Sequence, residues 1–129
     1  IIDDQKSAMV QRIKETITNM ILHDEQAKNY KVSSYLSEKL NYSYVYLSNV
    51  FSEVTYSSIE NFVILKKIDH VKSLIISNNY TLTEIAYQLN YSSVAHLSYQ
   101  FKKTTGLTPS TFQKIILRRR ENGGQNSNS

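Results

Sequence analysis

The stretch Leu89-Asn90-Tyr91-Ser92-Ser93-Val94-Ala95-His96-Leu97-Ser98-Tyr99-Gln100-Phe101 is an echo of an earlier one. Its counterpart is Leu40-Asn41-Tyr42-Ser43-Tyr44-Val45-Tyr46-Leu47-Ser48-Asn49-Val50-Phe51. The later copy has one extra residue between its first Ser and its Leu. Downstream the register settles at fifty residues, pairing Thr55 with Thr105 and Phe62 with Phe112. Upstream, Leu36 and Leu40 pair with Ile85 and Leu89. A recurrence of this kind marks a duplicated supersecondary unit.

Each copy reads as a helix, a tight turn and a second helix. Two apolar residues about a turn apart anchor the first helix, and Asn-Tyr-Ser forms the turn. Ser43 and Ser92 are placed to cap the next helix by accepting from its free backbone N–H groups. In that helix Leu and Phe, four apart, face inward. Tyr42 and Tyr91 hold matching turn positions and read as core. Ser48, Asn49 and Val50, against Ser98, Tyr99 and Gln100, are expected mostly to face outward. A helix held by a short partner and showing small polar side chains can enter a major groove roughly 12 Å wide. Any short helical hairpin shares this periodicity, so the spacing alone leaves function open.

Outward from the repeat, the apolar spacing stays helical. Val10, Ile13, Ile17, Met20 and Ile21 predict a helix from about Ser7 to His23, either packed on the first unit or serving dimerisation. Val32, Leu36 and Leu40 mark a second helix, and a third spans about Tyr44 to Val54 with Leu47, Val50 and Phe51 on its inner face. Ser57 and Glu60 have capping-box spacing and open a long helix through Ile64, Ile68, Val71 and Ile75. Asn78-Asn79-Tyr80 reads as a turn. Thr81 with Glu84 forms another capping box, starting a helix through Ile85 and Leu89. The helix after Ser92 carries Leu97 and Phe101 and stops at Gly106, a left-handed C′ position. Thr108-Pro109 opens the last helix, through Phe112, Ile115 and Ile116. Gly106 and Pro109 are the only such residues before Gly123, which argues against a β fold rich in turns. The expectation is an all-α fold of seven short helices, followed by a disordered polar tail over Glu121–Ser129.

Charge is uneven along the chain. Residues 1–60 carry six Lys/Arg and eight Asp/Glu, whereas residues 61–129 carry nine and three. A basic half invites a polyanion, nucleic acid before membrane. No apolar run approaches the ~18 residues needed to span a bilayer, and no secretory signal pattern is present. The chain has no cysteine, which fits a cytoplasmic location and removes thiol chemistry. Enzyme readings lack support: no Gly-rich phosphate loop, no paired His and carboxylate, and no nucleophile elbow occur. His23, His70 and His96 lack metal-ligand spacing, so neither metal nor cofactor is expected. The absent initiator Met reads as a fragment whose upstream sensor or dimerisation domain is missing.

The run Leu82-Thr83-Glu84-Ile85-Ala86-Tyr87-Gln88-Leu89-Asn90-Tyr91, continued by Ser92-Ser93 through Phe101-Lys102-Lys103 to Gly106-Leu107-Thr108-Pro109, resembles the DNA-binding domain of AraC/XylS-family bacterial regulators. The likeness covers roughly Val10 to Ile116. It implies two helix-turn-helix subdomains joined by a long linker helix. The implied boundaries are an upstream linker over 1–6, a first subdomain over 7–57 and the linker helix over 58–77. A second subdomain over 78–117 and a basic, then disordered tail over 118–129 complete them. A linker of that length, at ~1.5 Å per residue, is on the order of 30 Å, close to the ~34 Å between successive major-groove faces. One monomer is then expected to fill two adjacent grooves of double-stranded DNA. Family analogy adds activation of transcription through contact with RNA polymerase.

Carried over by this resemblance, the base-contact candidates of the first unit are Tyr44, Val45, Ser48 and Asn49. Those of the second are Ser93, Val94, Ala95, His96, Ser98 and Tyr99. Asn49 is the leading candidate for a bidentate bond to adenine, and Val45 and Val94 for thymine methyl groups. Ser43, Ser92, Lys102 and Lys103 suit phosphates. Arg118-Arg119-Arg120 reads either as a solvated tail or as a DNA clamp. Departures from the family pattern are specific: Asn49 and Tyr99 stand where arginine is common, Tyr56 and Asn90 stand for glycines, and Val71 stands for alanine. The missing arginines leave a rival reading, a helical protein-interaction module on the same fold.

Overall fold

The computed structural model describes residues 4–24, 26–27 and 30–127. Among them are seven α-helices and no strand: α1 (Asp4–Leu22), α2 (Val32–Leu40), α3 (Tyr44–Thr55), α4 (Ile59–Ser77), α5 (Leu82–Gln88), α6 (Val94–Thr105) and α7 (Pro109–Ser127). No helix among the described residues is long and apolar enough to cross a membrane. The chain divides into two compact units, residues 1–67 and 68–129, and the division falls inside α4.

In the first unit α1 packs on α3 and α2. Val10, Ile13 and Ile17 recur at helical spacing, so one stripe of α1 is buried and the opposite face is wet. They close over Leu36, Leu40, Leu47, Val50, Phe51, Ile59 and Val63 to make one cluster. Of the two roles open to the α1 stripe, packing on the first unit is therefore what it does. The core of the second unit is built from Ile68, Val71, Ile75, Ile85, Ala86, Leu89, Tyr91, Leu97, Phe101 and Pro109. Val71, the departure in the long helix, is fully buried. Each fully buried Phe or Leu contributes about 1.5–3 kcal/mol by leaving water.

The fifty-residue register repeats atom by atom. Phe51 meets Phe62 with ring centroids 5.8 Å apart, and Phe101 meets Phe112 at 5.6 Å. Thr55 Oγ1 donates to the Phe51 carbonyl at 2.8 Å and accepts from Ser57 N at 3.2 Å. Thr105 does the same with Phe101 at 2.8 Å and Leu107 N at 3.1 Å. One hydroxyl thus ends the helix and shapes the exit in both units. That role explains why threonine recurs there.

Helix ends mostly follow local chemistry. Thr81 and Glu84 form the expected reciprocal box, at 3.0 and 3.1 Å. Thr108 caps α7 through Thr111 N at 3.2 Å. Asn41 and Asn90 take the left-handed region at φ 60° and 61°, where asparagine stands in for glycine.

Several expectations are corrected. The cap of α4 is Ser58, which accepts from Asn61 N at 3.0 Å, and not a Ser57–Glu60 box. Glu60 is engaged elsewhere, as described below. The first turn of α1 includes Asp4, Gln5 and Lys6, which the sequence assigned to a linker; residues 1–3 lie outside the described residues. The tail expected to be disordered is helical through Ser127. Arg118-Arg119-Arg120-Glu121 are good helix formers that extend α7 without any apolar anchor. Their side chains are exposed.

Candidate nucleic-acid interface

α3 and α6 are the second helices of the two helix-turn-helix units. Ser43 caps α3 by accepting from Tyr46 N at 3.2 Å. In α6 the cap is Ser93, accepting from His96 N at 3.1 Å, and not Ser92. This corrects the alignment of the copies. The extra residue of the second copy belongs to the turn, and the helices themselves match at fifty throughout.

That one residue changes how the turn tyrosine packs. In the second unit Tyr91 is buried and donates to Gln100 Oε1 at 2.6 Å. Burial pushes its phenol up to about 12. His96 sits edge-on to Tyr91 at 5.2 Å, with Nδ1 3.2 Å from Ser92 Oγ. In the first unit the shorter turn leaves Tyr42 outside, 45% exposed, contrary to its reading as core. It stacks on Tyr46, ring centroids 5.0 Å apart. The slot that holds Gln100 in the second unit holds Val50 in the first. Val50 is buried with Leu47 and Phe51, on the inner face that the helical spacing gives it. A buried hydroxyl demands a partner, and without one the slot can be apolar.

The candidate residues fall into groups by exposure. On α3, Val45 is 70% exposed, Asn49 is exposed, and Ser48 is half-buried. Tyr44 is half-buried, and its hydroxyl donates to Glu60 Oε1 at 2.5 Å. Burial first, and this bond second, push the phenol well above the tyrosine range. The same bond leads the causes that hold Glu60 below the usual carboxylate range. On α6, Ala95 and His96 are exposed, and Tyr99 is 67% exposed. Val94 and Ser98 are half-buried, and Ser93 is occupied as the cap. Lys102 and Lys103 are exposed on the last turns of α6, and Lys103 lies over the Tyr99 ring at 5.9 Å. Tyr46 was missed by sequence reasoning. Its signal was the fifty-residue match to His96, which the misplaced insertion hid.

Electrostatically the two helices differ. α6 carries Lys102 and Lys103, whereas α3 has Ser52 and Glu53 at those register positions. Glu53 pairs with Lys6 at 2.8 Å, an exposed pair worth about 0–1 kcal/mol. α3 contains no Lys or Arg.

A pair of capped helices, each braced by a shorter helix and each offering an uncovered face, defines a tandem helix-turn-helix domain. The helix-turn-helix domain family matches residues 36–115, and the chain belongs to that family, in its AraC/XylS type. Domains of this family are DNA-binding parts of transcription regulators and not enzymes. The Msm operon regulatory protein of Streptococcus mutans serotype c is 27% identical over 96 residues, 74% of this chain and 34% of that protein. The chain thus spans about a third of that curated relative's length. A DNA-binding transcriptional dual regulator from Escherichia coli K-12 is similar in fold, with a TM-score of 0.72 and 21% identity. That match covers 85% of this chain and 93% of the other. The DNA-binding domain of AdpA, a global transcriptional factor solved in complex with a target DNA, gives a TM-score of 0.68 at 17% identity. It covers 92% and 98% of the two chains. At such identities the structural likeness speaks for the fold.

Proposed function

We propose that this chain is the sequence-specific, double-stranded-DNA-binding domain of a bacterial transcription activator, and that it inserts α3 and α6 into successive major grooves. The observation that carries this reading is the matched pair of helices. Each is capped by Ser43 or Ser93, anchored by Leu47 and Phe51 or Leu97 and Phe101, and open on its outer face. Val45, Ser48 and Asn49 with Ala95, His96, Ser98 and Tyr99 are the side chains offered to bases. Tyr44 and Val94, half-buried, and Ser93, engaged as the cap, flank them. Ser43, Ser92, Lys102 and Lys103 serve phosphates, together with the N-terminal backbone of each helix. The AdpA domain, of like fold, was solved with DNA, which supports the same partner here. Contact with RNA polymerase, a cytoplasmic location and an upstream sensor or dimerisation domain belong to the same proposal by family analogy.

Selection of this chain against a random duplex library, at two salt concentrations, tests it. The expected result is a motif of two blocks about one helical turn apart, with affinity falling steeply as salt rises. A single block would mean that only one unit reads bases. The lack of any Lys or Arg on α3 favours a second reading, a protein-interaction module. Its signature would be no enriched motif and no salt-sensitive binding.

A further inference from the structure

The outer face of α3 is apolar where a DNA-reading helix is commonly cationic. Val45 is 70% exposed, and Tyr46, 44% exposed, is held by its stack on Tyr42. Asn49 lies one turn from Val45 on the same face. Its amide is exposed and makes no hydrogen bond among the described residues. The nearest acidic position of the helix, Glu53, is neutralised by Lys6. α3 has no cationic side chain to draw it to phosphate, yet the helix is built and capped like its twin.

Such a face has a definite complement. In the major groove an A·T pair offers adenine N6 and N7 to a side-chain amide and the thymine methyl to an apolar group. Guanine is commonly met by Arg or Lys at O6 and N7, and α3 offers neither. The stack with Tyr42 restrains the Tyr46 ring before binding, which lowers the entropy lost on contact.

We propose that the first helix-turn-helix unit reads A·T pairs by their thymine methyl groups, with Val45 and Tyr46 making the apolar contact and Asn49 bonding the paired adenine. The salt-sensitive part of binding then resides in the second unit, at Lys102 and Lys103. This rests on the double-stranded-DNA reading above and assigns chemistry to one half of it.

The test replaces thymidine with deoxyuridine, one block at a time, in the duplex selected by this chain. That removes the methyl and leaves base pairing intact. Burying one methyl changes binding about fourfold, so replacement in one block is expected to weaken binding about fourfold for each methyl touched. In Val45→Ala that penalty is expected to shrink to less than about twofold, while any penalty in the other block and the salt slope stay as in the parent chain. Val45 is exposed, so the variant keeps the parent's fold, checked by circular dichroism. No deoxyuridine penalty in either block, a full penalty retained in Val45→Ala, or a shallower salt slope in that variant overturns the proposal and leaves DNA binding standing. A chain that binds no duplex overturns both.

Discussion

The Tyr44 hydroxyl donates a 2.5 Å hydrogen bond to Glu60 Oε1, tying the first turn of α3 to the first turn of α4 within the first unit. Fifty residues on, the same positions hold Val94 and Ser110, so the second unit lacks this tie. Glu60 is held below the usual carboxylate range, first by Tyr44 and then by backbone N–H at the helix start. A carboxyl with a depressed folded-state value adds stability that is present above its unfolded value. That stability is lost as pH falls through the folded one. Tyr44→Phe is expected to cost about 1 kcal/mol at neutral pH, a modest figure because Glu60 is exposed. It should also flatten the loss of stability below about pH 5. Denaturant unfolding from neutral to acid pH measures both. Parallel acid limbs in the two proteins would mean that Glu60 titrates without regard to Tyr44.

Tyr56 and Gly106 occupy the same left-handed position after α3 and α6, at φ 59° and 86°. Glycine takes that conformation freely, whereas an L side chain is strained there by about 1–2 kcal/mol. Tyr56 is 92% exposed, so its ring recovers little of that cost. Tyr56→Gly is expected to raise stability by about 0.5–1 kcal/mol despite the added freedom of the unfolded chain. Gly106→Ala, with open space around the new Cβ, is expected to lose about 1 kcal/mol through the backbone alone. Urea midpoints decide the matter, and a destabilised Tyr56→Gly would show that the ring is held by something more than its own turn.

The seven helices were legible because apolar periodicity and capping chemistry are local, and Leu36, Leu47, Ile85 and Leu97 have no alternative but burial. What escaped was set by single-residue registers. Ser92 and Ser93 are equally good caps by composition, and only packing of the turn chooses Ser93. Once that choice is made, Tyr91 goes in and Tyr42 comes out, and Gln100 turns to meet Tyr91. Glu60 looked like a capping-box residue because three-residue spacing is all the sequence displays. Its partner, Tyr44, is sixteen residues away. The exposed faces of α3 and α6 were thus readable in outline, and Tyr46 became visible only when the inserted residue moved into the turn.

Burial raises the Tyr91 phenol to about 12. A raised folded-state value means stability that is complete below the ordinary tyrosine value, about 10, and lost as pH rises through about 12. Tyr91→Phe is expected to remove one late phenolate step from the ultraviolet titration. It should also cost about 1–2 kcal/mol by leaving Gln100 Oε1 without its donor. Loss of an early step instead would place Tyr91 in water.

Asn49→Ala removes the amide and leaves Val45 and Tyr46 in place. The expected outcome is relaxed preference at one base position, with a loss of about 1–3 kcal/mol on the selected site. Binding to unrelated duplexes should hardly change, since α3 makes its contribution without charge. Affinity measured across a panel of single-base variants separates the cases. Equal discrimination by parent and variant at every position would remove Asn49 from the base-reading face.

Lys102 makes the opposite kind of prediction. Its side chain is exposed on α6, and its register partner in the first unit is the uncharged Ser52. A phosphate contact carries no sequence information but releases counterions. Lys102→Ala should therefore weaken selected and unselected duplexes alike and lower the slope of log affinity against log salt by about one. Ser52→Ala should leave that slope unchanged. Lys103 lies against the Tyr99 ring, so its ammonium is partly directed by that contact. Tyr99→Ala would free it, and the slope would be kept while preference near that base was lost. An unchanged slope in Lys102→Ala would instead mean that the phosphates are met by backbone N–H groups, whose dipoles bind anions without displacing a full counterion.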